Sequence, residues 1–331
     1  MNLDKEIFYL GIDFLDINAH AIYLDLIGED YRKLLFSFWS FPIDIYKTGE
    51  NDTLADIFSF NEQVLEDGLA EFYSLKRCKT DFCIHEELLR EMGREIKAGR
   101  PVLWATDSKI LPYHWTYEND ETNHGHMVLV IGQDEGMPIF VDPGWIDATH
   151  YLSKRDFSNS VRNRIITLCY EKNDQDCQKD FYRTVKYMAV KASERDKNNM
   201  DLFDRIQYFS QLMLTDFNPD KERISLDNNR SRIWMNPLIR NINEISKYRF
   251  HISESFKFIW EKEHPNHAGN LSEKFLQSSK QWNTLKFMCS HILLQEKKME
   301  GNNKKLSDYI QKICDLERDI LSDINLLLSN R

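Results

Sequence analysis

A histidine and an aspartate border a predicted hairpin within residues 99–145. His126 opens the apolar run 126–133, and Asp142 lies at the end of the apolar run that follows. Because antiparallel neighbours run in opposite directions, the start of one strand lies beside the end of its partner. We therefore expect the Asp142 carboxylate to orient the His126 imidazole, as in the base-and-orienter half of a nucleophilic triad. On spacing alone, surface turn residues at the ends of a hairpin are the more common explanation.

A metal site is the second interpretation of the same region. His124 and His126 are two residues apart, so on a strand both side chains would point to one face. Together with His114 they could form a three-histidine site. The long intervening loop and the lack of an obvious fourth ligand argue against it, and no metal is predicted.

The elements that must position these residues are predicted to be strands. Turn residues at 134–136 separate two of the apolar runs, which is a hairpin signal. An antiparallel sheet is predicted from four runs, at 101–106, 126–133, 138–142 and 165–170. Upstream, helical spacing predicts a helix from Asn18 to Ile27 and two helices within 61–98, whereas 34–46 is predicted to be a strand or a buried turn.

Beyond residue 172 the composition becomes that of a helical region. Apolar stripes predict helices at 181–193, 201–214, 235–262, 271–297 and 304–329. The polar stretches 218–232 and 264–270 are predicted to be loops. The fold class is therefore α+β, with a first domain at 1–172 and a helical C-terminal region at 173–331.

Composition limits the possible function classes. The chain has 331 residues, 42% of them apolar, which is enough to bury a core. Its net charge of −10 argues against general nucleic-acid binding, because an acidic protein repels phosphate backbones. No apolar run approaches the roughly 18 residues that cross a bilayer, and no basic signal-peptide start is visible. We expect a cytoplasmic protein without a membrane partner.

The six cysteines form no CxxC pair, so no zinc or redox motif is predicted. We interpret them as reduced core thiols, although Cys78 and Cys83 could be bridged in principle. The first 77 residues contain no cysteine.

Several stretches resemble the butirosin biosynthesis protein H-like family. The resemblance is strongest over 99–145, in the stretches GRPV, LPYH, HGHMVLVIGQDE and FVDPGW. It extends to LIGEDYRKLL with FSFWSF near the N-terminus, and to SSKQWNTLKFM in the C-terminal region. Members of this family look like papain-type cysteine hydrolases and are associated with nonribosomal peptide and polyketide assembly lines. The resemblance implies a papain-like helix-plus-sheet domain.

The resemblance also implies Cys-His-Asp acyl chemistry. An acyl group would pass from a carrier-protein thioester to the enzyme cysteine and then to a small amine, with no cofactor except the carrier's phosphopantetheinyl arm. His126 matches the family's general base and Asp142 its orienter. The nucleophile should stand at the start of the first helix, where the helix dipole lowers a thiol pKa.

This chain departs from the family at that point. Residues 16–22 read DINAHAI and contain no Cys, Ser or Thr, and Ala19 is the position expected for the nucleophile. Either the protein is a natural pseudoenzyme, or a Cys→Ala substitution was made. A non-catalytic acyl- or carrier-binding protein of the same fold is therefore the main alternative, and a thioesterase or cysteine peptidase is the third.

Other parts of the site follow from the same interpretation. The backbone N–H at the helix start, aided by Asn18, could form an oxyanion hole. An acyl channel could be walled by four aromatics, although core packing is their commoner role: Trp39, Trp104, Tyr113 and Trp115. A basic stretch could dock an acidic carrier protein or simply be a solvated face: Lys154, Arg155, Arg162 and Arg164.

Overall fold

The computed structural model describes residues 15–43, 53–58, 62–114, 116–118, 125–142, 145–170, 180–223, 233, 236–295 and 301–330. The chain divides into two compact units. Unit 1 comprises Met1–Tyr31 and Leu69–Cys177, and unit 2 comprises Arg32–Gly68 and Gln178–Arg331. The fold class is α+β, as predicted, with a six-stranded antiparallel sheet and a helical C-terminal region.

The sheet belongs to unit 1. Its strands are β1 (Leu75–Asp81), β2 (Val102–Asp107), β3 (Gly125–Asp134), β4 (Met137–Asp142), β5 (Trp145–Tyr151) and β6 (Arg164–Tyr170). Their order across the sheet is β1-β6-β2-β3-β4-β5, and every neighbouring pair is antiparallel. The four predicted strands correspond to β2, β3, β4 and β6. The helices of unit 1 are α1 (Leu15–Leu26), α3 (His85–Lys97) and α4 (Lys154–Ser158), whereas α2 (Glu62–Tyr73) spans the boundary between the units.

Strand β1 corrects the prediction that 61–98 is entirely helical. Helix α2 ends at Tyr73, and Ser74 takes a left-handed backbone conformation with φ 53°. The following strand buries Leu75 and Arg77 but leaves most other side chains exposed or half-buried. Polar residues are usual on an edge strand, where they discourage pairing with other chains, and they conceal its strand character in the sequence. Strand β5 was not predicted either.

The β3–β4 hairpin forms as the turn residues predict. Asp134 pairs with Met137, so Glu135 and Gly136 form a two-residue loop. Both have positive φ, 47° and 82°, as a type I′ turn requires. The turn sets the register as far as Gly132, and a β-bulge between Val130 and Gly132 shifts it by one residue before the strands reach His126 and Asp142.

Two helices, α1 and α3, contact β3. Leu88 and Met92 of α3 share an apolar cluster with Trp104 and Val128, which are Cα partners on β2 and β3. The buried apolar residues of α1 do not belong to that cluster.

Unit 2 consists mainly of helices. They are α5 (Phe181–Ser193), α6 (Leu202–Thr215), α7 (Pro219–Arg223), α8 (Pro237–Ser255), α9 (Pro265–Leu294) and α10 (Asn302–Ser329). A π-helical turn, Phe256–Trp260, continues α8, and a short 3₁₀ helix lies at Leu54–Ile57. The prediction of a loop at 264–270 is wrong, because Pro265 occupies the first turn of α9, where a proline's missing N–H is tolerated. The loop predicted at 218–232 contains α7.

Unit 2 includes Arg32–Gly68, a segment that lies within the predicted first domain, 1–172. A strand or buried turn was predicted at 34–46, of which the structure describes 34–43. This part contains the end of a 3₁₀ segment, Tyr31–Phe38, and an isolated bridge from Ile43 to Phe58. Its aromatic rings pack on the helices of unit 2. Phe36 meets Phe256, Phe38 stacks on Tyr248, and Phe41 stacks on Trp282, with centroid distances of 4.8, 5.0 and 5.4 Å. These long-range aromatic contacts hold the segment in unit 2.

A buried ion pair lies at the centre of unit 2. Arg249 Nε of α8 is 2.8 Å from Glu317 Oε1 of α10, and both side chains are fully buried. Glu317 also accepts hydrogen bonds from Trp39, Ser278 and Trp282. Every acceptor oxygen thus has a donor, as a buried carboxylate requires.

In the part of the chain that the structure describes, every helix is too short or too polar to cross a bilayer.

Candidate functional site

His126 and Asp142 are neighbours, as the hairpin predicts. His126 is the second residue of β3 and Asp142 the last of β4. The imidazole Nε2 lies 2.7 Å from the Asp142 Oδ2, and the two side chains are 4% and 0% exposed. A carboxylate at Asp142 requires the proton on Nε2, which leaves the lone pair of a neutral imidazole on Nδ1. Nδ1 is therefore the atom that could accept a proton from a nucleophile.

Tyr113 holds the same carboxylate. Its hydroxyl donates a hydrogen bond of 2.7 Å to Asp142 Oδ2, and its ring stacks on His150 of β5 at a centroid distance of 3.9 Å. Burial, followed by the charge and the hydrogen bond of Asp142, raises the pKa of the Tyr113 phenol well above its usual range. Tyr113 therefore stays protonated and donates its hydrogen bond to Asp142. The sequence analysis predicted Tyr113 only as a wall of an acyl channel.

Next to this pair lies a buried group of hydroxyls that the sequence did not reveal. The ring of His114 lies edge-on to that of His126 at 5.4 Å, and its Nδ1 is 2.7 Å from Thr116 Oγ1. Thr116 Oγ1 in turn lies 2.8 Å from Ser108 Oγ. Thr106, the partner of His126 across β2 and β3, is 3.2 Å from Ser160 Oγ. The only sequence signal was the polar ending of β2, where Thr, Asp and Ser follow an apolar run.

Asp107 fixes the loop that follows α4. Its Oδ2 accepts backbone N–H bonds from Val161 and Arg162 at 2.8 and 3.0 Å, and its Oδ1 is 3.2 Å from Arg162 Nε. Gly125, its Cα partner, leaves room for this arginine, because a Cβ at Gly125 would stand 2.0 Å from Arg162 Nη1. Asp107 thereby secures the backbone next to the start of β3.

Ala19 lies in the second turn of α1. Helix α1 begins at Leu15, three residues before the predicted start, so position 19 is not at the helix terminus. Ala19 is fully buried and offers only a methyl group.

Some predicted site residues lie outside what the structure describes. This applies to Trp115 and His124, and to the side chain of Asn18, whose backbone belongs to α1.

Two of the predicted channel aromatics are core residues. Trp104 is fully buried in the α3-facing cluster, with its ring 5.2 Å from that of Phe157. Trp39 belongs to unit 2, where its ring packs 5.3 Å from that of Phe275 and its indole N–H donates to Glu317. Trp104 and Trp39 therefore have the core-packing role that the sequence analysis gave as the alternative to a channel wall.

Acidic partners accompany the basic stretch. Arg155 binds Glu118 at 2.6 Å, and Arg164 binds Asp81 at 2.7 Å. Together with the contact of Arg162 to Asp107, these pairs reduce the positive charge available to an acidic partner. Within the described ranges, no group of three His, Cys, Asp or Glu side chains is arranged to hold a metal ion.

No known family model matches the chain, and no curated protein is significantly similar to it.

Proposed function

We propose that this chain is a papain-like protein of the acyl-transfer type, which binds an acyl group delivered as a carrier-protein thioester. In this proposal His126 is the base and Asp142 its orienter. The family position of the nucleophile, Ala19, carries no thiol, so the chain as sequenced binds the acyl group without forming an acyl-enzyme. A small amine would be the acceptor in an active relative.

The buried contact between His126 and Asp142 carries the proposal. A hydrogen-bonded His-Asp pair with 4% and 0% exposure is costly to bury unless both groups are satisfied, and here Tyr113 supplies a further donor. With Nε2–H donated to Asp142, Nδ1 is the ring nitrogen that would act as the base toward a thiol in this proposal. The resemblance over 99–145 supplies the substrate class.

The test restores a thiol to the helix. Ile17→Cys, Asn18→Cys and Ala19→Cys are prepared separately and incubated with acyl thioesters of a phosphopantetheinyl carrier protein, and acyl-enzyme is measured by mass spectrometry. At least one variant should become acylated. The unaltered chain is the control for the six natural cysteines.

Two further measurements separate the alternatives. Adding His126→Ala to the reactive variant should abolish acylation, since a thiol without its base reacts slowly. The unaltered chain should bind acyl-carrier more tightly than unacylated carrier in a calorimetric titration. If no cysteine variant is acylated and the acyl-carrier does not bind, the proposal is wrong.

An active acyltransferase is the second candidate, favoured by the intact base-and-orienter pair. Reading the genomic codon for position 19 distinguishes the two. A native cysteine codon supports the active enzyme, whereas a native alanine codon supports the binding protein. With water as the acceptor, the same acyl-enzyme chemistry would make it a thioesterase or a peptidase.

A further inference from the structure

Two cysteines face each other across the edge of the sheet. Cys78 lies on β1 and pairs with Thr167, whereas Cys169 lies on β6 and pairs with Lys76. The cysteines are therefore diagonal neighbours on the same face of an antiparallel pair. Their Sγ atoms are 2.7 Å apart, and both thiols are reduced. The sequence analysis interpreted the cysteines as core thiols, which is wrong for Cys83 and Cys169 because both are exposed.

Small molecules can reach the pair. Cys169 is exposed and Cys78 half-buried, and both line a cavity of about 510 Å³ in unit 1. Other walls of the cavity come from Tyr23 of α1 and from Arg94 and Arg100. Cys83 is also exposed, but no second described thiol is paired with it. The accessible thiol at 169 therefore has a second thiol within contact distance.

We propose that Cys78 and Cys169 form a redox-active dithiol that is oxidised to a reversible cross-strand disulfide by exchange with small-molecule disulfides. In the first step the Cys169 thiolate attacks one sulfur of the small disulfide. A mixed disulfide forms at Cys169, and the first small thiolate leaves with an electron pair and takes up a proton. In the second step the Cys78 thiolate attacks the Cys169 sulfur and expels the second small thiol. The protein loses two electrons and two protons, and the small disulfide gains both.

The order of the two steps follows from the environments of the thiols. Burial, followed by the hydrogen bond and charge of Cys169, raises the pKa of the Cys78 thiol to about 11. A thiol with so high a pKa is rarely ionised at neutral pH, so it is a poor first attacker. Once Cys169 carries the mixed disulfide, Cys78 is already in contact with the sulfur that it must attack. An S–S bond of about 2.05 Å requires only a small approach of the two sulfurs.

Oxidation would join the outermost strand, β1, to its single described neighbour in the sheet, β6. The bond would also close a long loop of chain, which restricts the unfolded state. This proposal does not depend on the acyl-transfer chemistry, because Cys78 and Cys169 lie on β1 and β6, whereas His126 and Asp142 lie on β3 and β4.

The experiment treats the full chain with oxidised glutathione and analyses it by intact mass and by peptide mapping without reduction. The wild-type protein should lose two hydrogen atoms and yield a peptide pair that links Cys78 to Cys169. Reduced glutathione in excess should reverse the change. Cys83→Ser is the matched control, because it removes a nearby exposed thiol and should leave the link intact.

Single variants test the order of attack. Cys78→Ser should stop at the mixed disulfide and gain one glutathione at residue 169, whereas Cys169→Ser should react at least tenfold more slowly at residue 78. Circular dichroism of both variants checks that they fold. Three results would overturn the proposal. Folded wild-type protein could accumulate the mixed disulfide at Cys169, as is expected only of Cys78→Ser. Cys78 could form its disulfide with Cys83, or neither Cys78 nor Cys169 could react.

Discussion

The buried ion pair of unit 2 allows a prediction whose size follows from its contacts. Replacing Glu317 by glutamine keeps the shape of the side chain but removes its charge. Arg249 would then be a buried guanidinium without a counter-ion, because its other acceptors are the neutral carbonyl oxygens of Phe38 and Ser40. Removing one partner of a buried pair costs about 3–5 kcal/mol, since the remaining charge stays desolvated. We expect the free energy of unfolding of unit 2 to fall by that amount.

Urea unfolding followed by tryptophan fluorescence is the assay. Trp39 and Trp282 both donate to Glu317, at 3.1 and 2.9 Å, so their emission reports on this part of unit 2. With a urea m-value of about 1–3 kcal/mol/M, a loss of about 3–5 kcal/mol should lower the midpoint by roughly 1–5 M. Asp319→Asn is the matched control on α10, because it breaks the partly exposed pair with Lys274. That control should cost no more than about 1 kcal/mol.

The pH dependence gives a second check on the same residue. Burial raises the pKa of Glu317, but the charge and hydrogen bonds of Arg249 outweigh it, so the pKa lies below its usual value. A depressed carboxyl pKa contributes stability above the unfolded-state pKa of about 4.5, and this contribution is lost as the pH falls through the folded-state pKa.

A Glu317→Gln midpoint that matches that of Asp319→Asn at neutral pH would refute the assignment of the pair as a major stabilising contact.

Three further predictions concern single side chains. Tyr113→Phe removes a hydrogen bond to the Asp142 carboxylate and should destabilise unit 1 by about 1.5–3 kcal/mol in urea unfolding; a loss below 0.5 kcal/mol would contradict the contact. Burial raises the pKa of Glu222 to about 7, so folding favours the protonated form of its carboxyl group. The stability that this preference contributes is complete below about pH 4.5 and is lost as the pH rises to about 7. Glu222→Gln should therefore flatten the stability-pH curve between these values, and an unchanged slope would show that the carboxyl titrates normally. Gly136→Ala places a Cβ at φ +82° with no neighbour within 4 Å, so thermal unfolding should show a destabilisation of about 1–2 kcal/mol from backbone strain alone. The control Gly269→Ala lies inside α9 and should instead stabilise the protein by about 1 kcal/mol. Equal effects of the two substitutions would refute the assignment of the turn.

Features determined by neighbours in sequence were the most predictable. The β3–β4 hairpin was predicted because its turn residues and flanking apolar runs are contiguous, and helix α5 has the predicted bounds because its stripe is regular. The proximity of His126 and Asp142 followed from that hairpin alone. Their catalytic roles stay predictions.

Features determined by distant parts of the chain were not predictable in the same way. Strand β1 is polar because it lies at a sheet edge, a position that only the completed sheet defines. The aromatics of 32–68 read as a local core, but their partners lie on helices far along the chain. The contact between Cys78 and Cys169 depends on the pairing of β1 with β6. These strands are far apart in the sequence, so the spacing of residues does not predict that they pair.

The membership of Arg32–Gly68 in unit 2 has a consequence for biosynthesis. The ribosome makes this segment early, but its partner helices, such as α8 and α9, appear only after the whole sheet has been synthesised. Until those helices are made, the nascent chain lacks the final packing partners of Phe36, Phe38 and Phe41. In that interval these aromatic side chains can bind chaperones or aggregate. For the same reason, a chain cut after the sheet would retain this aromatic segment while losing the helices that bury it.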